Sequence, residues 1–187
     1  MKTYAGLGDL QTPEYIIEVI RTTAILLVHD GFMCITGGCQ GAEQAFANGT
    51  LVAGGSVKIH LPWPSFEAQW IAKLPKERAQ IIVLQDDDTD AYNSVKTFHP
   101  AYEKLTPSVR AINARYFNIL NNVSFLICWT NEGKLIGSTG QAMRLATYLH
   151  VPIYNLGIKE TLDKMVTKIQ QRSDELIPYR SISSGIF

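Results

Sequence analysis

An α/β fold, one domain with a mostly parallel sheet and helices on both faces, is predicted by three features of the 187-residue sequence. Short apolar runs alternate with helical stripes. The passage from run to stripe is marked repeatedly by glycine, and one run, SFLICW at 124–129, is continuously apolar, as in a strand buried on both faces. Strands separated by helices of crossover length give parallel βαβ units, so the predicted architecture is Rossmann-like. Length and composition argue for a single domain over 1–187, with 46% hydrophobic residues to fill one core.

Residues 2–7 read as the first strand, stopping at Gly6 and Gly8, and Thr12, Pro13 and Glu14 signal a helix start. Ile16, Ile17, Ile20, Ala24, Leu27 and Val28 share one stripe of that helix, which ends at Gly31. Residues 32–36 follow as a buried strand broken by Gly37 and Gly38, and 41–48 as a short helix closed by Gly49. Val57–Leu61 is a third strand, ended by Pro62, Trp63 and Pro64 because proline lacks the ladder donor. Residues 81–84 fit a short strand or the buried end of a helix begun near Lys76, with the acidic stretch 86–90 capping the segment after it.

Thr106 caps a helix over Pro107–Leu120, with Val109, Ile112, Tyr116 and Ile119 on one face and Arg110, Asn113 and Asn118 elsewhere on its surface. The 124–129 run is placed at the middle of the sheet. Gly137, Ser138, Thr139 and Gly140 introduce a helix running to about Leu149, 151–155 is the next strand, and Lys159–Gln171 is the closing helix. The tail from about 178, and 181–187 above all, is expected to be loosely held unless it docks.

Lys plus Arg and Asp plus Glu number 17 each, so the net charge is zero and no basic coat draws the chain to polyanions. Cys34, Cys39 and Cys128 form no CxxC pair and are odd in number, which fits a reducing compartment and argues against a disulfide framework or a cysteine zinc site. The start MKTYAGLGDLQTPE lacks a signal-peptide core, and no apolar run approaches the ~20 residues of a membrane span. A cytoplasmic protein with no membrane partner is the expectation.

Chemistry is concentrated in the glycine clusters Gly6/Gly8, Gly37/Gly38/Gly41 and Gly137/Gly140, each at a strand-to-helix junction. In a parallel sheet these ends share one edge, where backbone approaches a ligand closely and helix N-termini attract phosphate. Each glycine taken singly is equally well explained by a turn that needs positive φ. Neither GxxxxGK[ST] nor GxGxxG with an acid about twenty residues on is present, which argues against an ordinary NTPase or NAD dehydrogenase. Arg110 and Arg115 can fork onto phosphate, with Asn113, Ser138 and Thr139 as further donors, or sit on solvated helix faces.

Other residues are weighed against these. The acids 86–90 lack calcium-loop spacing and read as a helix start, so no metal is assigned, and no cofactor is called for. His60 and His99 have no spaced nucleophile and acid. Cys39, just ahead of a helix start, is a candidate for a lowered pKa. Trp63, Phe66 and Trp70 either stack on a base or cover the core.

The segments GGCQGAEQAF, KIHLPWPSF, FHPAYEKLTPSVRAINARYFNIL and SFLICWTNEGKLIGSTGQAMRLATYLHVPIYNL, spanning most of residues 4–157, resemble stand-alone members of the SLOG superfamily. They are similar to the Rossmann core of the DNA-processing protein DprA and, more distantly, to the LOG phosphoribohydrolases. The resemblance implies binding of a nucleotide, a nucleotide-derived ligand or single-stranded DNA at the glycine loops, in DNA processing or nucleotide sensing, by a homodimer or higher homo-oligomer. LOG enzymes carry a PGGxGTxxE motif; here Gly137, Ser138, Thr139 and Gly140 precede Gln141, and Arg144 stands in the place of the glutamate. An arginine there opposes the positive charge that develops in glycoside cleavage. Glu43 is the alternative carboxylate, either holding a ribose hydroxyl, acting in hydrolysis, or favouring a helix dipole. The expectations are therefore a DprA-like binding protein or a nucleoside-monophosphate N-glycosidase with a non-standard carboxylate; a third is a partner-binding protein that has kept the fold alone.

Overall fold

The computed structural model describes residues 2–179. Six strands, β1 (Lys2–Gly8), β2 (Phe32–Thr36), β3 (Val57–Leu61), β4 (Ala79–Val83), β5 (Leu126–Trp129) and β6 (Ile153–Asn155), form one sheet in the order β4-β3-β2-β1-β5-β6. Every pairing is parallel, with Tyr4 opposite Cys34, Gly6 opposite Ile127 and Ile59 opposite Ile81. The 81–84 ambiguity resolves as strand, because β4 adds to the edge beside β3. Of the 124–129 run, Leu126–Trp129 form β5, buried on both faces, yet it lies one strand in from the β6 edge; β2 and β1 are the middle pair.

The helices divide by face. On one side α1 (Glu14–His29) and α2 (Ala42–Val52) pack Ile16, Ile20, Ala24 and Phe46 onto Tyr4, Cys34 and Ile59, with Trp70 of the short α3 (Ala68–Ile71) joining them. Partly buried Leu162 and Met165 of α7 (Lys159–Gln171) cover the margin of the same core. On the other side α5 (Pro107–Leu120) and α6 (Gly137–Tyr148) set Tyr116, Ile119, Met143 and Leu145 against Ala5, Leu7 and Cys128. Ala91 and Val95 of α4 (Thr89–Phe98) meet Ala111 and Ala114 of α5. The caps follow the sequence: Thr106 Oγ1 accepts from the Val109 amide at 3.4 Å, and Asp88 accepts from Ala91 at 3.2 Å to open α4.

Two glycines read as element ends lie inside elements, where contact with neighbours requires them. Gly6 is within β1, and a Cβ there would collide with the Phe46 ring, so α2 lies directly on the strand at this point. Gly49 does not close α2, which continues to Val52; a Cβ at Gly49 would run into the Arg21 carbonyl oxygen and lie 3.0 Å from Ala24 Cβ. Its missing side chain sets the close approach of α1 and α2. At the chain's end, residues Ser173–Tyr179 form a short 3-10 helix that lays Leu176 on Ile25 and Leu26; the expectation for the tail from about 178 falls almost wholly on 180–187, outside the described residues.

Candidate functional site: a crevice at the β1/β5 switch point

The connections leave β1 toward β2 on one side and return to β5 on the other, so β1 and β5 flank the topological switch point, where an open α/β sheet leaves a crevice beyond its strand ends. Three junctions converge there. The loop after β1 contributes Asp9, Leu10, Gln11 and Thr12, tied by Thr12 Oγ1 donating to the Asp9 carbonyl at 2.6 Å and by Gln11 N–H donating to Asp9 Oδ1 at 2.9 Å. The loop after β2 lies against it: a Cβ built on Gly41, at φ +83°, would sit 3.6 Å from the Asp9 carbonyl and 3.7 Å from that of Leu10. On the other flank the Asp9 carboxylate faces Gly137, 3.4 Å from where a Cβ would stand, at φ +62°.

The α6 N-terminus is the open end of this arrangement. Ile136 is its N-cap and supplies no side-chain acceptor, so the first-turn amides have no cap. Gly137 is exposed, Ser138 half-buried, and Thr139 and Gly140 buried. Gly140 is a packing residue: a Cβ there would strike the Leu135 backbone, whose carbonyl oxygen would lie 2.9 Å away. The neighbouring strand ends are pinned by Asn155, whose Oδ1 accepts from Thr130 N at 3.2 Å and Gly157 N at 2.9 Å while Nδ2 donates to Thr130 Oγ1 at 2.7 Å.

The loop after β2 is built on a buried ion pair. Arg115 is fully buried; its Nη2 donates to Glu43 Oε2 at 3.2 Å and to Cys39 Sγ at 3.1 Å, and Nη1 donates to the carbonyls of His60, at 3.1 Å, and Gly37. Glu43, 1% exposed, also accepts from the Cys39 amide at 2.7 Å. A Cβ on Gly37 would overlap the guanidinium, so that glycine makes room for Arg115. Burial is the largest influence on Arg115 and works against its charge, but Glu43, Cys39 and Tyr116 together outweigh it and hold the guanidinium above its ordinary range.

Several sequence expectations are corrected by this geometry. Arg115 and Glu43 are each other's partner, and together they brace the loop from beneath. Glu43 is thereby enclosed and paired, with only 1% of its surface exposed. Gly37 and Gly38 face inward as well, Gly38 toward Ile59, Leu61 and Trp70, and Gly6 and Gly8 take contact from α2 through Phe46 and Ala42. Cys39 is not activated: burial and then the Glu43 charge push its thiol up to about 12. Arg110 stacks over the Tyr102 ring at 4.3 Å and donates to its carbonyl.

Asn113 is 1% exposed, donates to Val109 O at 2.7 Å and leaves Oδ1 without a partner among the described residues; Gln141, in α6, likewise leaves Oε1 unpaired. Arg144 donates to the Leu135 carbonyl at 2.7 Å, bracing the loop ahead of α6. The residue that the sequence reading passed over is Asp9, the acid immediately after the β1 glycines.

No family model and no curated protein sequence matches the chain. Solved structures do. DNA processing protein A from Helicobacter pylori, a single-stranded DNA binder, superposes with a TM-score of 0.59 at 17% identity, over 90% of this chain and 73% of that one. The molybdenum cofactor carrier protein of Chlamydomonas reinhardtii superposes with a TM-score of 0.54 at 18% identity, over 91% of this chain and 86% of that one. At such identities the likeness is one of fold: a Rossmann-like, all-parallel sheet with helices on both faces.

Proposed function

We propose that the switch-point crevice binds a compact phosphate-bearing ligand, a nucleotide or nucleotide-derived molecule, with its phosphate on the first-turn amides of α6 at Gly137, Ser138 and Thr139. The observation that carries this reading is the uncapped α6 N-terminus meeting the β1 and β2 loops around Asp9. A carboxylate beside those amides repels phosphate and accepts hydroxyl groups, so Asp9 suits the sugar of the same ligand.

Cationic groups around the crevice are already engaged: Arg115 with Glu43, Lys134 with Glu132 at 2.5 Å, and Arg144 with Leu135. Long polyanions are held chiefly by free lysines and arginines, and a compact ligand chiefly by amides. This favours the small nucleotide. Single-stranded DNA is the second reading, supported by the fold shared with DNA processing protein A. A homodimer belongs to that reading, since a second copy would bring Arg110 and neighbouring lysines to a common groove.

Native mass spectrometry of the freshly purified protein, beside fluorescence anisotropy with short single-stranded DNA at two salt concentrations, tests the choice. A retained nucleotide-sized mass without DNA binding is expected. Salt-sensitive DNA binding by a ligand-free dimer would replace the first reading with the second.

A further inference from the structure

The two edges of the sheet differ in what they offer another strand. β6 is three residues long and follows Pro152, so little of it can be paired. β4 runs for five residues, Ala79–Val83, without the charged side chains or proline that blunt natural edges, and Gln80 and Ile81 are exposed.

The backbone of β4 divides by parity. Val57 N–H donates to the Arg78 carbonyl at 2.8 Å and Leu84 N–H to the Leu61 carbonyl at 2.9 Å, with Ile59 opposite Ile81. In a parallel ladder this phase gives the hydrogen bonds of Gln80 and Ile82 to β3 and turns those of Ala79, Ile81 and Val83 outward. Two of the outward groups are already engaged: Ala79 N–H donates to the Pro75 carbonyl at 2.9 Å, and the Val83 carbonyl accepts from Gln85 Nε2 at 2.8 Å. The Ala79 carbonyl, both groups of Ile81 and the Val83 N–H have no partner among the described residues.

That remainder is self-complementary. In an antiparallel pair about a twofold axis through Ile81, each Ile81 exchanges both bonds with its counterpart, and each Val83 N–H donates to the Ala79 carbonyl of the other copy. Every free group is met. Sliding the second copy by two residues in either direction would instead point a free group of Ile81 at the engaged Ala79 N–H or the engaged Val83 carbonyl. The flanks agree with the same register, which sets exposed Lys76 opposite exposed Asp86 of the second copy, twice over by symmetry.

We propose that β4 is a dimerisation edge and that its partner is a second copy of this chain, paired antiparallel about Ile81 so that one sheet continues through both. The two Ile81 side chains, each 36% exposed in the single chain, then cover one another across the axis. β3 and β2 separate this edge from the β1/β5 switch point, so the pairing is independent of which ligand the crevice takes.

Sedimentation velocity of the full chain over about a hundredfold range of concentration should show monomer passing to dimer. Ile81→Lys sets two like charges on the axis and should leave only monomer, with the melting temperature of dilute wild type. Lys76→Glu or Asp86→Lys should each raise the dissociation constant about tenfold, and the double variant, with the charges exchanged, should restore it. Amide exchange at Ile81 and Val83 should slow as the dimer fills. Monomer at every concentration overturns the proposal. So does a dimer that survives Ile81→Lys or is not restored by the charge exchange, since another surface would then be pairing.

Discussion

Replacing Arg115 by methionine removes the charge that holds the β2 loop while keeping much of the side-chain volume. The change strands the Glu43 carboxylate, which is 1% exposed and retains only the Cys39 amide at 2.7 Å as a partner. It also leaves the carbonyls of Gly37 and His60 without the guanidinium donor. Breaking a buried pair from one side costs about 3–5 kcal/mol, because an uncompensated charge stays in a low-dielectric interior. Against a typical stability of about 5–15 kcal/mol, that is about a fifth or more of the total.

Glu43→Gln in the same background removes the stranded charge, so the double variant should be less destabilised than the two single losses added together, by about 2 kcal/mol. Urea unfolding of wild type, both single variants and the double variant, at constant m-value, measures all the terms. A loss below about 1 kcal/mol for Arg115→Met, or strict additivity, would refute the claim that this pair braces the loop.

Other consequences are open to equally direct checks. Gly49→Ala should gain about 1 kcal/mol from helix propensity alone, yet the added Cβ meets the Arg21 carbonyl, so a net loss of about 1–3 kcal/mol is expected; a raised melting temperature would contradict the packing account. Burial, and then the charges of Arg115 and Lys58, lower His60 from 6.5 to about 4. The unfolded chain therefore takes up a proton that the native state refuses between those values, and stability that is complete above pH 6.5 is lost as pH falls toward 4, by up to about 3 kcal/mol. In His60→Gln that slope should flatten, and an unchanged slope would sink the assignment.

With its thiol raised to about 12, Cys39 should resist iodoacetamide in the folded protein at neutral pH; rapid labelling confirmed by peptide mapping would count against the loop geometry. Asp9→Asn should tighten inorganic phosphate and weaken a ribose-bearing nucleotide about tenfold or more, and a change of the same sign for both would place Asp9 elsewhere than beneath the sugar.

Much of the architecture was legible because it rests on local signals. Thr106 and Pro107 announce α5, Gly31 follows the end of α1, and the apolar run 126–129 can only be a doubly buried strand. The glycines misled where their role is tertiary: nothing near Gly6 or Gly49 in sequence reveals that Phe46 or Arg21 will press on them. Arg115 was within reach. Ile112, Arg115, Tyr116 and Ile119 recur at i, i+3, i+4 and i+7, so the arginine lies on the inward stripe of α5, where a charge must be paired.

Glu43 occupies the buried side of α2 beside Phe46 and Ala47 in the same way. What periodicity could not give is which loop the guanidinium would reach, since Gly37 is 78 residues away in the chain.

The central claim is that a phosphate sits on the α6 amides, and Ser138→Glu tests it most directly. Ser138 is half-buried in the first turn, where a carboxylate favours the helix dipole and so leaves thermal stability unchanged or slightly raised. The same charge would oppose a bound phosphate. Binding of a nucleotide panel and of short single-stranded DNA, compared between wild type and Ser138→Glu by calorimetry, should show at least a tenfold loss of affinity for the ligand that wild type binds, about 1.4 kcal/mol, with no loss of melting temperature. Equal affinity in the two proteins would contradict the account.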